Sequence, residues 1–229
     1  MNLFIQAILS ITILSCTYTE RKPASKIHDQ QPAAVTIINY DSCKKLIPIL
    51  KSHYKASWHN LPKTEKEKLF TASVTETIIP GWIGTPWSFN GTSETPQQGS
   101  IACGYFVTTV LRDAGLTIQR IKLAQCASEQ MITALVQSKY IKRFSHVTLK
   151  NFMDSIEKQG YGLYIVGLDN HTGFLYNDGK EIYFIHASFA GTRKVQKEKA
   201  SASWVLEQSR YKVVGKLSTD EKALEKWLN

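Results

Sequence analysis

The sequence predicts an α+β protein. Three observations carry that reading. Apolar residues recur with helical spacing up to about residue 159. The period then changes to short strand-like runs separated by tight turns. A helical pattern returns over the last ten residues, so the layers are helices packed on an antiparallel sheet. The 229 residues suffice for one sizeable core. With 43% hydrophobic and 21% charged residues, disordered, collagen-like and coiled-coil classes are excluded. No apolar run reaches the roughly 18 residues of a lasting membrane span.

Leu3 to Leu14 form an apolar stretch of signal-peptide length, interrupted by Gln6, Ser10 and Thr12. Ile13-Leu14-Ser15-Cys16 follows. A hydrophobic pair, a small residue and then Cys resembles the lipobox of bacterial lipoproteins. That resemblance implies export, cleavage after Ser15 and acylation of Cys16. Acyl chains anchor by burying CH₂ groups at about 0.8 kcal/mol each. Residues 1–15 therefore read as a lipoprotein signal peptide. Residues 16–37, polar with Pro23 and Pro32, read as a flexible tether. Residues 38–229 read as one domain with a helical extension over 38–80.

Within that domain, Leu46, Ile47, Ile49 and Leu50 suit an amphipathic helix from Asp41 to about Tyr54, with Asp41 starting it. Asn60 and Pro62 predict the start of a second helix running to about Thr77, with Pro80-Gly81 ending it. Gly84 to Ser100 is a loop rich in Gly, Pro, Ser and Thr. Ile101 to Ala114 has helical spacing and stops at Gly115. Ser128–Arg143 and Thr148–Gln159 read as two more helices. Tyr161–Leu168, His171–Tyr176 and Glu181–Ser188 read as strands, with turns at Asp169-Asn170 and Asn177–Lys180. Trp204 and Tyr211–Leu217 predict further strand, and Thr219–Leu228 a terminal helix.

Cys103 falls where the Gly-rich loop meets a helix. Unpaired N–H groups and the macrodipole at a helix N-terminus stabilise a thiolate, and they also stabilise a developing oxyanion. A nearby imidazole lowers the thiol pKa further and later protonates a leaving amine. His171 opens one predicted strand and His186 lies on the next, so a hairpin can set them side by side, one orienting the other. Asn177, Asp178 and Glu181 are alternative groups to orient His171. Phe89, Tyr105 and Phe106 read as groove wall and core.

Four segments, in order, resemble the NlpC/P60 family of bacterial cell-wall cysteine peptidases within the papain-like superfamily. Gly84-Thr85-Pro86-Trp87-Ser88-Phe89-Asn90-Gly91 looks like the family's loop before the nucleophile. Ala102-Cys103-Gly104-Tyr105-Phe106-Val107 looks like its nucleophile segment, and His171-Thr172-Gly173-Phe174-Leu175-Tyr176 like its first histidine strand. Ile185-His186-Ala187-Ser188 looks like its second. The likeness spans about residues 83–190. It implies a papain-like fold in which Cys103 is the nucleophile, His171 the general base and acid, and His186 the orienting group.

The resemblance further implies that Trp87 and Gly104 stand beside the oxyanion and that Phe89 and Tyr105 line the substrate groove. Trp87 replaces a Tyr of the family, and Ala102 and Gly104 replace an Asp and a Ser associated with recognising the peptide stem. The expected activity is hydrolysis of an amide bond in peptidoglycan stem peptides, without metal or organic cofactor. The expected partners are those peptides and a membrane reached through Cys16, with the chain a monomer. A related CHAP-type amidase with another third residue, or an inactive envelope-binding lipoprotein, are the alternatives.

The net charge of +9 suits anionic surroundings. Runs such as Glu65-Lys66-Glu67-Lys68 mark solvated helix faces, however, and no basic stripe with stacking aromatics points to nucleic acid. Cys43 and Cys126 read as two unrelated thiols or as a disulfide pair. No Cys-x-x-Cys or His-Glu-x-x-His spacing points to zinc.

Overall fold

A computed structural model describes residues 39–229. The signal peptide, Cys16 and the tether lie outside the described residues. Nine helices and six strands are described. They are α1 (Tyr40–Lys55), α2 (Lys63–Ala72), α3 (Ile79–Trp82), α4 (Cys103–Asp113), α5 (Arg120–Gln125), α6 (Ser128–Leu135), β1 (Ile141–Ser145), α7 (Leu149–Glu157), β2 (Gly162–Leu168), β3 (Thr172–Asn177), β4 (Ile182–Ala187), β5 (Val195–Lys199), α8 (Trp204–Gln208), β6 (Tyr211–Lys216) and α9 (Glu221–Leu228). The strands form one antiparallel sheet in the order β1-β6-β2-β3-β4-β5. The α+β architecture is as the sequence predicts.

The sheet is covered on both faces, which explains why every residue of β2 is buried. Leu163 and Ile165 face the larger core with Phe174, Ile185 and Val213. Tyr164 and Val166 face a smaller core closed by Phe152 and Ile156 of α7 and Leu206 of α8. This is the period-2 alternation of a strand, with apolar residues required on both sides.

The helices before residue 83 complete the larger core. Trp227 of α9 packs on Trp58 and Phe70 at centroid distances of 5.7 and 5.6 Å, and its indole N–H donates to Ala114 O at 2.6 Å. α4 lies at the centre. Its Phe106 ring meets Phe174 of β3 at 5.9 Å, edge to face. That contact fixes the start of α4 against the start of β3.

Several boundaries differ from expectation. α1 is capped by Asn39, whose Oδ1 accepts from Asp41 N at 3.0 Å, so Asp41 is inside the first turn. Asn60 ends a 3₁₀ turn, and α2 begins after Pro62. The helix then continues past Thr77 through a π-type segment, Ser73–Ile78, into α3, where Pro80 has no N–H to donate to the preceding turn. Residues 128–143 divide into α6, a 3₁₀ turn and strand β1, because β1 pairs with β6 at the sheet edge. α5 and β5 were not expected, and Trp204 starts a short helix capped by Ser203 rather than a strand. Gly115 ends α4 at φ +98°, with Leu116 N returning to Leu111 O at 3.0 Å. Cys126 is a free thiol facing Leu123 O, so no bridge joins it to Cys43.

Asp220 joins α9 to the connection after α6. Its buried carboxylate caps α9 through Lys222 N and Ala223 N and accepts from both the backbone N–H and the side-chain amide of Gln137. Replacing it by Ala strands those donors. The expected loss is about 2–4 kcal/mol in urea unfolding, with an unchanged m-value. A loss below half of that would show that the cap does not hold α9 in place.

Candidate active site

The geometry begins with a two-residue turn. Leu168 N donates to His171 O at 2.8 Å across Asp169-Asn170, closing the β2–β3 hairpin. The Asp169 carboxylate ties the hairpin tip to the start of β6, accepting from Arg210 N at 2.7 Å and Tyr211 N at 3.1 Å. Those backbone donors hold its pKa below the ordinary carboxylate range. His171 therefore enters β3 from an anchored turn.

On β4, His186 lies beside β3. A Cβ at Gly173 would sit 2.8 Å from the His186 Cβ and 2.9 Å from Ile185 O. Only a glycine leaves this space. The result is a hydrogen bond between His171 Nε2 and His186 Nδ1 at 2.8 Å. Both rings are buried, at 5% and 0% exposure. Phe184 stacks on His186 at 4.0 Å and 17°, and Phe189 meets the His171 ring edge to face at 5.1 Å. Burial, reinforced by His186, pushes the His171 pKa down to about 3. Burial also lowers that of His186, opposed by the Glu198 carboxylate, whose Oε1 is 3.3 Å from His186 Nε2.

Cys103 is the first residue of α4, half-buried, and backbone N–H groups of Thr172, Gly104 and Cys103 itself point at its sulfur. Thr172 directly follows His171, so the thiol stands at the same end of β3 as the imidazole pair. Burial pushes the Cys103 thiol up, and the three backbone donors offset only part of this. The expected lowering of the thiol pKa is therefore not found. Desolvation exceeds the helix-terminus effect, and the resting groups are a neutral thiol and neutral imidazoles.

The loop before α4 frames this centre. Gly84 N, Trp87 N and Ile101 N donate to Val195 O, Arg193 O and Pro86 O at 2.8–2.9 Å, seating the loop between β5 and the start of α4. Trp87 is half-buried, 6.3 Å from Phe189 and under the Arg193 guanidinium at 5.0 Å. Trp87 and Phe189 thus form an aromatic edge beside His171. Phe89 is 82% exposed at the loop tip. Tyr105 does not join the groove. Arg120 covers its ring at 4.8 Å and Gln125 donates to its hydroxyl at 3.0 Å, holding it against α5. Phe106 is wholly core.

Gly104 has its own constraint. A Cβ there would meet Ala124 O at 2.3 Å, because α5 crosses α4 at this point. Space, not hydrogen bonding, dictates glycine where the resembled family has a Ser. The same unforeseen α5 helps line a surface depression of about 710 Å³ with Glu94, Arg112, Arg120 and Cys126, which does not include Cys103 or His171.

Asn177, Asp178 and Glu181 do not orient His171. They sit at the far end of β3, roughly 20 Å of strand away. There Asn177 and Asp178 accept turn N–H groups, and Glu181 pairs with Lys199 at 2.7 Å. Sequence reasoning missed Gln196 and Glu198, which reach His186 from β5. The alternation in Val195-Gln196-Lys197-Glu198-Lys199 was the available signal. Among the described residues, no group of three or more His, Cys, Asp or Glu is arranged to hold a metal ion.

Two outcomes follow. Gly104→Ala should lower stability by about 1–3 kcal/mol, since a backbone carbonyl cannot yield as a side chain can. Chemical denaturation tests this, and an unchanged midpoint would show that α5 moves freely. The second concerns pH. Both histidines fold neutral, whereas the unfolded imidazole takes a proton near its ordinary value of 6.5. Stability from their burial is complete above that value and declines as pH falls below it. Thermal melts between pH 7 and 4 should therefore fall less steeply for His171→Asn than for the unaltered chain; equal slopes would contradict burial of the neutral ring.

The chain matches no protein-family model, no curated protein and no solved structure.

Proposed function

We propose that the protein is a papain-like cysteine hydrolase of the NlpC/P60 type, acting on amide bonds of peptidoglycan stem peptides. The observation that carries this reading is the 2.8 Å link from His171 Nε2 to His186 Nδ1, with Cys103 at the same end of β3. The link occupies Nε2 of His171 and leaves Nδ1 to accept the thiol proton. Cys103 sulfur then attacks the scissile carbonyl, forming a tetrahedral oxyanion. N–H groups at the start of α4, including that of Gly104, are the candidate oxyanion donors. As the C–N bond breaks, His171 returns the proton to the leaving amine, giving a thioester. Water, deprotonated by His171, hydrolyses it and restores the thiol.

Because the resting thiol is neutral, proton transfer must accompany attack. Burial disfavours imidazolium, so His171 takes the proton only as the developing oxyanion supplies the opposite charge. Trp87, Phe189 and the exposed Phe89 form the groove wall in this reading. Export and anchorage through Cys16 rest on the resemblance of residues 13–16 to a lipobox. No helix among the described residues is long and apolar enough to cross a membrane.

One observation favours a second reading, an envelope-binding protein that keeps the groove without the chemistry. It is the raised pKa of Cys103. Incubation with isolated cell wall separates the two. The hydrolase should release stem-peptide fragments, and Cys103→Ala should reduce release at least about a hundredfold while leaving the thermal midpoint in place. Release undiminished in Cys103→Ala, or no release from the unaltered chain, would overturn the proposal.

A further inference from the structure

We infer that Glu198 is a positioning residue that sets the tautomers of both histidines, so that His171 presents an unprotonated Nδ1 to the Cys103 thiol. The inference rests on the hydrolase reading for its purpose but not for its geometry.

The hydrogen positions follow from the partners. One of the two rings must donate in the His171 Nε2–His186 Nδ1 bond. If His186 donates from Nδ1, its Nε2 bears no hydrogen, and the hydrogen of neutral His171 is displaced to Nδ1. That form cannot take a proton from the thiol. If His171 donates from Nε2, His186 Nδ1 accepts and the hydrogen of His186 resides on Nε2. Its acceptor is then Glu198 Oε1 at 3.3 Å. That oxygen is buried and has no hydrogen-bond partner among the described residues, so a hydrogen on His186 Nε2 is a donor within reach that would satisfy it.

A competing group stands beside it. Gln196, opposite His186 in the β4–β5 register, brings its Nε2 to 3.3 Å from the same His186 nitrogen. The Gln196 amide orientation is fixed by Thr192, whose hydroxyl donates to Oε1 at 2.7 Å, so Nε2 is a donor. A donor at this place selects the wrong tautomer. Glu198 counters it twice. Its Oε1 stands 3.3 Å from His186 Nε2 as an unsatisfied acceptor, and its Oε2 accepts from Gln196 Nε2 at 3.0 Å. The carboxylate thus engages one of the two amide hydrogens of Gln196 and offers His186 an acceptor.

The groups facing the pair are few. The turn before β3 contributes His171, α4 contributes Cys103 and β5 contributes Glu198 and Gln196. Lys197 points elsewhere, over Tyr183 at 4.0 Å, and Lys199 is paired with Glu181. Ser203 also faces the Glu198 carboxylate.

The test uses the full chain with ¹⁵N-labelled histidine at pH 7, with Cys103 alkylation by iodoacetamide followed by peptide mass spectrometry. The unaltered chain should show hydrogen on Nε2 of both rings. Glu198→Gln keeps an accepting oxygen, so its tautomers and alkylation rate should stay within about twofold. Glu198→Leu should move hydrogen onto Nδ1 of both rings and slow alkylation by about tenfold or more, with thermal melts confirming a folded chain. Hydrogen on Nδ1 of His186 in the unaltered chain would overturn the assignment. So would wild-type tautomers and alkylation in Glu198→Leu. Should the tautomers switch as expected in a chain that releases nothing from cell wall, the assignment stands and the hydrolase reading falls.

Discussion

The contact between two buried imidazoles on neighbouring strands is the constraint around which the candidate site is built. A 2.8 Å bond between ring nitrogens demands a particular register of β3 against β4 and a gap between them. Gly173 provides the gap. The anchored Asp169 turn fixes where β3 begins, and Phe106 on Phe174 fixes where α4 begins relative to it. Three unrelated stretches of chain thus converge on one end of one strand. Because buried polar groups are costly unless paired, the pair also has to be served from outside, and β5 does so.

Much of this was legible in the sequence. The alternation in 161–188 and the Asp-Asn and Asn-Asp-Gly turns specify a hairpin meander, and with it the adjacency of His171 and His186. Gly84 to Ser100 followed by an apolar helix places Cys103 at a helix start. What escaped was structure whose signal is tertiary. β1 and β5 are edge strands with polar, charged sequences, and pairing rather than hydrophobic pattern makes them strands. With β5 unseen, nothing in the sequence placed Glu198 beside His186. Likewise α5 has no clear period, so its crossing at Gly104 was invisible, and the missing side chain there read as a lost recognition group instead of a packing requirement.

The electrostatics also differ from the simple helix-terminus picture. A thiol at a helix start is stabilised as an anion only while it retains enough solvent or donors. Here the thiol is desolvated beside the start of β3, and desolvation exceeds the help of the backbone donors. A site of this kind holds its groups uncharged until a polar ligand enters. The same burial that raises the thiol lowers the imidazole, which keeps the proton on sulfur in the resting state.

The two open sides of the sheet carry a last consequence. β1 and β5 expose Lys142, Arg143, Lys197 and Lys199, and the loop at Gly84–Trp87 already covers the start of β5. Charged side chains on the border strands, with part of β5 already covered, make these edges poor templates for growth into fibrils. Crowded molecules would thus stay separate, and the border that holds Glu198 would remain undistorted by neighbours.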